Sequence, residues 1–212
     1  MADYSVAPPP LKDPIVDMPG RFLTAAWRDW FIWLQNQFSY RWEDLRFPAQ
    51  GINPPGAASD PGVSATTGLL VFSGVQDNVI VGFAQMPHSW LIGSVVRPHL
   101  HLRFPTITDA NANSRWRFEY DIADIGGLFT NASGTYTTLS TVTVPMPASV
   151  NSHVLASFGD LPMTGFKESA GILWKISRLA NSDAVDDCPD SILLLEFDIH
   201  YRISRRGTVP EF

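Results

Sequence analysis

The residues SILLLEFDIHYRIS (191–204) place Leu193, Leu195, Phe197, Ile199, Tyr201 and Ile203 on one side of an extended chain, and Glu196, Asp198, His200 and Arg202 on the other. Successive side chains of a strand point to opposite faces, so this pattern predicts a long strand with one face in a core. The same alternation appears around WRFEYDI (116–122), where Trp116, Phe118, Tyr120 and Ile122 oppose Arg115, Arg117, Glu119 and Asp121. A third stretch, RPHLHLRF (97–104), sets Pro98, Leu100, Leu102 and Phe104 against Arg97, His99, His101 and Arg103. Around these three, the text reads as eight strand candidates at 68–73, 78–86, 94–104, 114–122, 135–144, 152–158, 170–179 and 191–204. Short strands separated by turn-rich text, with no convincing second helix, predict a mainly β domain over 69–212. The expected architecture is an antiparallel β-sandwich, jelly-roll-like and of about eight strands.

Toward the N-terminus the pattern changes twice. Residues 1–20 carry Pro8, Pro9, Pro10, Pro14 and Pro19, which restrict φ and remove backbone donors, so an extended arm is expected there. RFLTAAWRDWFIWLQNQFSYRW (21–42) repeats Leu23, Trp27, Trp30, Leu34 and Phe38 at steps of three and four, the spacing of one helical face, and an amphipathic helix is expected over 21–45. Phe31 and Trp33 help widen that stripe, while Arg28, Asp29, Gln35, Asn36 and Gln37 interrupt it too often for a membrane span. Such a helix either belongs to the core of its own domain or docks on another subunit. The docking candidates are Leu23, Trp27, Trp30, Phe31, Trp33, Leu34 and Phe38, with the aromatic rings as anchors. Residues 46–68, rich in Pro, Gly, Ala and Ser and without a period, read as a linker.

Composition narrows the function classes. Apolar residues make up 45%, charged residues 17%, and the formal net charge is −6 with no block of Lys or Arg. Phosphate binding needs a basic patch, so nucleic acid is not an expected ligand. The single cysteine, Cys188, leaves no intrachain disulfide framework and no cysteine-based zinc site. No basic stretch precedes an apolar run at the start, so no signal peptide is read there.

No G-x-S-x-G, P-loop or G-x-G-x-x-G occurs, and no catalytic residue, cofactor or enzyme activity is expected. The nearest approach to a site is His99-Leu100-His101, whose two imidazoles share one strand face. Gly93 stands before this pair as in the opening of the cupin metal motif. The Glu that should follow is replaced by Pro105 and Thr106, and Arg97 and Arg103 flank the pair on the same face. A metal is therefore not expected; the candidate ligands, were one present, are His99, His101 and His200. The preferred reading is a polar stripe that meets Glu196, Asp198 and His200 of the last strand. Cys188 lies among Asp186, Asp187 and Asp190, whose charges disfavour a thiolate, and the run reads as a solvated acidic loop. His88 reads as a turn residue. Trp90, Trp116 and Trp174 either stack on sugars or, as core-fillers, occupy the sandwich interior.

The segments MPHSWLIGSVVRPHLHLRFP (86–105), WRFEYDI (116–122) and LLLEFDIHYRISRRGT (193–208) together resemble a group of uncharacterised tailed-phage virion structural proteins. The matching parts are Pro87-His88, Pro98-His99-Leu100-His101, Trp116 with Glu119-Tyr120, and Phe197-Asp198-Ile199-His200-Tyr201, spanning roughly residues 68–208. Leu102-Arg103 departs from that pattern, in which an aromatic follows the histidine pair directly, and Arg205-Arg206 replaces a neutral turn. The resemblance implies a virion structural role, often in symmetric assemblies, and no catalytic residue. The expectation is thus a head- or neck-associated appendage or decoration subunit, assembled in the bacterial cytoplasm. It would dock through its arm and helix, form a homo-oligomer with a trimer favoured, and contact other virion proteins of capsid, portal, neck or tail. A host-glycan-binding module of a tail fibre and a cupin-like metalloprotein are the alternatives.

Overall fold

A computed structural model describes residues 9–11, 15–17, 22–38, 41–130 and 136–203, with the side chains of 16, 17, 22 and 35–38 outside that description. The arm expected over 1–20 thus falls mostly outside the described residues. The chain divides into two compact units, Met1–Arg41 and Trp42–Phe212.

In the first unit, β1 (Val16–Asp17) pairs antiparallel with β2 (Phe22–Leu23), and α1 runs from Ala25 to Phe38. Leu23, expected on the helix, instead lies in β2, because helical bonding starts one residue later with the Arg28 N–H donating to the Thr24 carbonyl. Trp27, Trp30 and Phe31 form a ring cluster with centroids 5.1–5.9 Å apart. Trp33 and Leu34 are half-buried, and the Phe38 side chain lies outside the description. No helix among the described residues is long and apolar enough to cross a membrane.

The helix also ends earlier than 45. Residues Arg41–Pro48 form strand β3, in which Leu45 and Phe47 point to the core. Nor is 46–68 a linker. After β3 comes a short 3-10 turn, Ala49–Gly51, and then β4 (Gly62–Val63). The Phe47 ring lies 5.5 Å from Phe197 and 5.6 Å from Trp174, and Ala49 and Ile52 are buried. Proline and glycine erase periodicity, but a few apolar residues suffice to seal irregular chain over a sheet.

The rest of the second unit contains β5 (Leu70–Phe72), β6 (Asn78–Gln85), β7 (Val96–Arg103), β8 (Asn113–Ala123), β9 (Thr137–Pro145), β10 (His153–Ser157), β11 (Gly171–Arg178) and β12 (Ile192–Ile203). They correspond to the eight strand candidates. One sheet has the order β10-β7-β12-β5-β4 with β3 also on β12; the other has the order β6-β11-β8-β9. The paired registers are antiparallel, as a jelly-roll-like sandwich requires. Between the sheets, Trp116 meets Phe72 at 4.9 Å, and Phe197 meets Trp174 at 4.8 Å and Phe118 at 5.8 Å. Every residue of this buried core lies between 49 and 203.

Two expectations about side-chain placement change. The alternation read through 193–203 is broken by a bulge at Leu195: Leu194 is opposite Leu102 while Glu196 is opposite His101. Ile192 and Leu194 therefore share the core face with Phe197 and Ile199, all fully buried. A run of four apolar residues carries no phase, which is why the slip could not be read. The acidic run is not a solvated loop either. Asp186 is buried against Arg178, whose five N–H groups reach both Asp186 oxygens and the carbonyls of Phe72, Cys188 and Asp190. Asp190 accepts from the Thr108 N–H and hydroxyl, and Asp187 accepts from the Asn113 N–H. Asp186 and Asp190 fold inward because a buried guanidinium and backbone donors await them, while Asp187 stays exposed. Burial pushes the Cys188 thiol up, in keeping with an unreactive residue.

Candidate functional site

Leu100 and Leu102 on β7, together with Phe197 and Ile199 on β12, fill the interior, which fixes what the outer face of the six-stranded sheet carries. His99 and His101 emerge from β7; Glu196, Asp198 and His200 emerge from β12. Their register is Glu196 opposite His101, Asp198 opposite His99 and His200 opposite Arg97, so the expected meeting of the two stripes is realised. β10 brings His153 from the other side, and β3 brings Asp44 and Arg46. Four of the five histidines of the chain thus gather on one face.

The contacts are close. His99 Nε2 lies 3.0 Å from His101 Nε2, His101 Nε2 lies 3.1 Å from Asp198 Oδ2, and His99 Nε2 lies 3.6 Å from the same oxygen. On the far side of each ring, His101 Nδ1 is 2.6 Å from His153 Nε2, and His99 Nδ1 is 3.4 Å from the Arg97 carbonyl. The His200 ring packs edge-on against His99 at 4.2 Å, with its Nε2 2.8 Å from Asp44 Oδ1.

Burial governs the electrostatics. It is the main cause lowering the His99 pKa to about 4, reinforced by the charges of His200 and His101, so His99 is a neutral imidazole at neutral pH. Asp198 is buried, and its carboxyl is raised by that burial and then by the Glu196 charge. Its Oδ1 is buried without a hydrogen-bond partner among the described residues. Glu196 is different: Arg46 donates to both its oxygens at 2.7 and 2.6 Å and holds its carboxyl below the ordinary range. The arginines flanking the histidine pair are committed elsewhere. Arg97 donates to Asp160 at 2.6 Å and lies over the Trp42 ring, and Arg103 donates to Asn151.

Of the candidate ligands, the structure brings His99 and His101 together with Asp198, and places His200 with Asp44 and Asp198. His153, Asp44 and Arg46 were missed in the sequence. Strand candidate 152–158 already contained His153, and the alternation Asp44/Arg46 against Leu45/Phe47 was a signal hidden at the end of the helix reading. His88 sits in a turn as expected, with Nε2 2.9 Å from the hydroxyl of Ser169, a residue in left-handed backbone conformation at φ 62°. Trp90, Trp116 and Trp174 are at most 1% exposed, so they fill the core and offer no surface for stacking on sugars.

No protein-family model matches the chain, and no curated protein matches it. Among solved structures, it is similar to a family 35 carbohydrate-binding module from an environmental isolate, with 9% identity and a TM-score of 0.42, covering 73% of this chain and 91% of that one. The insecticidal delta-endotoxin Cry8Ea1 from Bacillus thuringiensis matches at 13% identity and a TM-score of 0.41, over 76% of this chain but 24% of its own. The T=1 particle protein derived from infectious bursal virus matches at 13% identity and a TM-score of 0.37, over 79% of this chain and 33% of its own. At such distances no functional residue transfers from them.

Proposed function

We propose that this chain is a non-enzymatic structural subunit of a tailed-phage virion, a head- or neck-associated appendage that oligomerises with copies of itself through its N-terminal unit. The observation that supports this is the division of labour between the two units. The buried core of the sandwich draws on residues 49–203, with Leu45 and Phe47 packed against it, while Leu23, Phe31 and Ile32 of the first unit are 43–50% exposed. A sandwich with a complete core of its own does not need a helix bearing Trp27, Trp30 and Trp33 in order to fold. Large apolar side chains left in water are the material of an interface. The helix also suits its own kind as partner: its two charged residues, Arg28 and Asp29, are of opposite sign and pair with each other, so it carries no net charge that would select a charged surface. Among closed cyclic assemblies the trimer is the one we favour for a jelly-roll-like appendage. Placement in a virion follows from the motif resemblance over 86–105, 116–122 and 193–208.

Light scattering on the purified full-length chain tests this. A trimer is expected, and the paired substitution Phe31→Glu, Ile32→Glu is expected to release monomers whose sandwich melts as before. In the phage, the same variant should be missing from assembled particles. A wild-type chain that stays monomeric at every accessible concentration overturns the proposal.

A further inference from the structure

The buried outer face of β7 and β12 carries an arrangement that a hydrogen-bonded polar stripe does not need. We infer that His99 Nε2, His101 Nε2 and Asp198 Oδ2 form a binding site for one divalent transition-metal ion of the zinc class, with His153 and the Arg97 carbonyl orienting the two imidazoles.

The first support is geometric. The three donor atoms form a triangle with edges of 3.0, 3.1 and 3.6 Å. A tetrahedral zinc ion bound at roughly 2.0–2.1 Å has its ligands about 3.3–3.4 Å apart, so the triangle has nearly the size of one face of that tetrahedron. The three atoms therefore need to move by only a few tenths of an ångström to bind.

The second support is the state of each ring. If His101 Nδ1–H donates to His153 Nε2, its Nε2 is left with a lone pair. If His99 Nδ1–H donates to the Arg97 carbonyl, the same is true of His99. Metal-binding histidines are commonly held this way, the remote ring nitrogen bonded to a second group and the near one free for the ion. Two lone pairs facing each other at 3.0 Å repel unless a proton or a cation lies between them.

The third is charge. Asp198 is buried, has one oxygen without a partner, and shares its surroundings with Glu196 and Asp44. Arg46 gives both its hydrogen bonds to Glu196, and among the described residues no Lys or Arg forms a salt bridge to Asp198, whose charge Arg46 offsets only from a distance. Arg97 and Arg103, which in the sequence argue against a cation here, direct their guanidinium groups to Asp160 and Asn151.

Two imidazoles with one carboxylate suit zinc, cobalt, nickel or copper; calcium and magnesium prefer all-oxygen sets. The third ligand comes from a neighbouring strand, which is why the spacing that follows His101 along β7 shows no sign of it. Three protein ligands leave a fourth position for water or another group.

The test uses the untagged full-length chain, stripped with chelator and titrated with Zn²⁺ alone by calorimetry, and with Co²⁺ followed by its visible absorption. The expected result is one ion per chain, a cobalt spectrum of low symmetry, and a higher melting temperature with zinc. His101→Ala and Asp198→Asn should each weaken affinity by about 100-fold or more, and His153→Ala by about 10- to 100-fold as a residue that orients a ligand. His88→Ala, at a separate turn, should change nothing. His101 is the partly exposed member of the set, so its variant is expected to fold, and the melting curve without metal checks this. Absence of saturable binding of either ion, or binding unchanged in His101→Ala and Asp198→Asn, overturns the inference. Neither outcome bears on the oligomeric state, which light scattering reads separately.

Discussion

Replacing Asp186 by alanine removes the carboxylate from beneath a guanidinium that has no access to water. Arg178 is fully buried, and its side chain ties four places together: the end of β11, the Phe72 carbonyl on β5, and the carbonyls of Cys188 and Asp190 in the loop before β12. Asp186 supplies two of its five hydrogen bonds at 3.0 and 3.1 Å, and one of the same oxygens also accepts the Arg115 N–H at 2.8 Å. The truncation therefore leaves an uncompensated buried cation together with an orphaned backbone donor. Breaking a buried pair from one side costs about 3–5 kcal/mol. For a domain of this size each kcal/mol lowers the melting temperature by roughly 2–4 °C, so the loss should be about 6–20 °C. Calorimetry on Asp186→Ala reads it directly. The companion variant Arg178→Met with Asp186→Leu removes both charges, and it should be milder than Asp186→Ala alone, since only neutral groups, the three carbonyls and the Arg115 N–H, are left without partners. A loss below about 1 kcal/mol for Asp186→Ala, the range of surface substitutions, would refute the reasoning that this pair is an internal clamp.

Two further outcomes follow from packing and charge. At Gly82, an added Cβ would overlap the Trp174 ring, which is held between Phe47 and Phe197 and has little room to yield, so Gly82→Ala should destabilise the sandwich by about 1–3 kcal/mol in a denaturant titration; an unchanged midpoint would show that the tryptophan moves freely. Partial burial pushes the Asp77 carboxyl up, but the hydrogen bonds from the Ser182 side chain and the backbone N–H groups of Asn181 and Ser182 outweigh it and hold the pKa below the ordinary 3.8. A carboxyl with a lowered folded-state pKa contributes stability above its unfolded value, and that contribution fades as pH falls through the folded one. The stability gap between wild type and Asp77→Ala should accordingly be full at pH 6 and shrink below about pH 4; a gap independent of pH would show that the ionised form is not what holds the loop at 181–182.

Within the candidate site, half of the arrangement was legible from spacing. His99 and His101 must share a face because a strand alternates, and Glu196, Asp198 and His200 must share another for the same reason. Their meeting needs only that β7 and β12 be neighbours. What spacing along one strand could not show is that Asp198 reaches both imidazoles, since a ligand from across a sheet leaves no mark in the sequence around His101. The strands that carry His153 and Asp44 left a trace in the sequence, but their arrival at this site did not: each comes from a third or fourth strand whose position depends on the order of the sheet. The arginines misled because a guanidinium extends far enough to serve a partner well away from its own Cα, and Arg97 and Arg103 do so.

By itself the sequence determined the strands. Alternation of apolar and polar residues is a local property of an extended chain, and it located β5 through β12, the inward faces of β7 and β8, and the helical character of 25–38. Tertiary structure alone decided the strand order, the bulge at Leu195, the burial of Asp186 and Asp190 around Arg178, and the recruitment of Leu45, Phe47, Ala49 and Ile52 to the sandwich. These depend on partners distant along the chain, and the free energy of a buried charge or a ring in a core is set by what surrounds it in space.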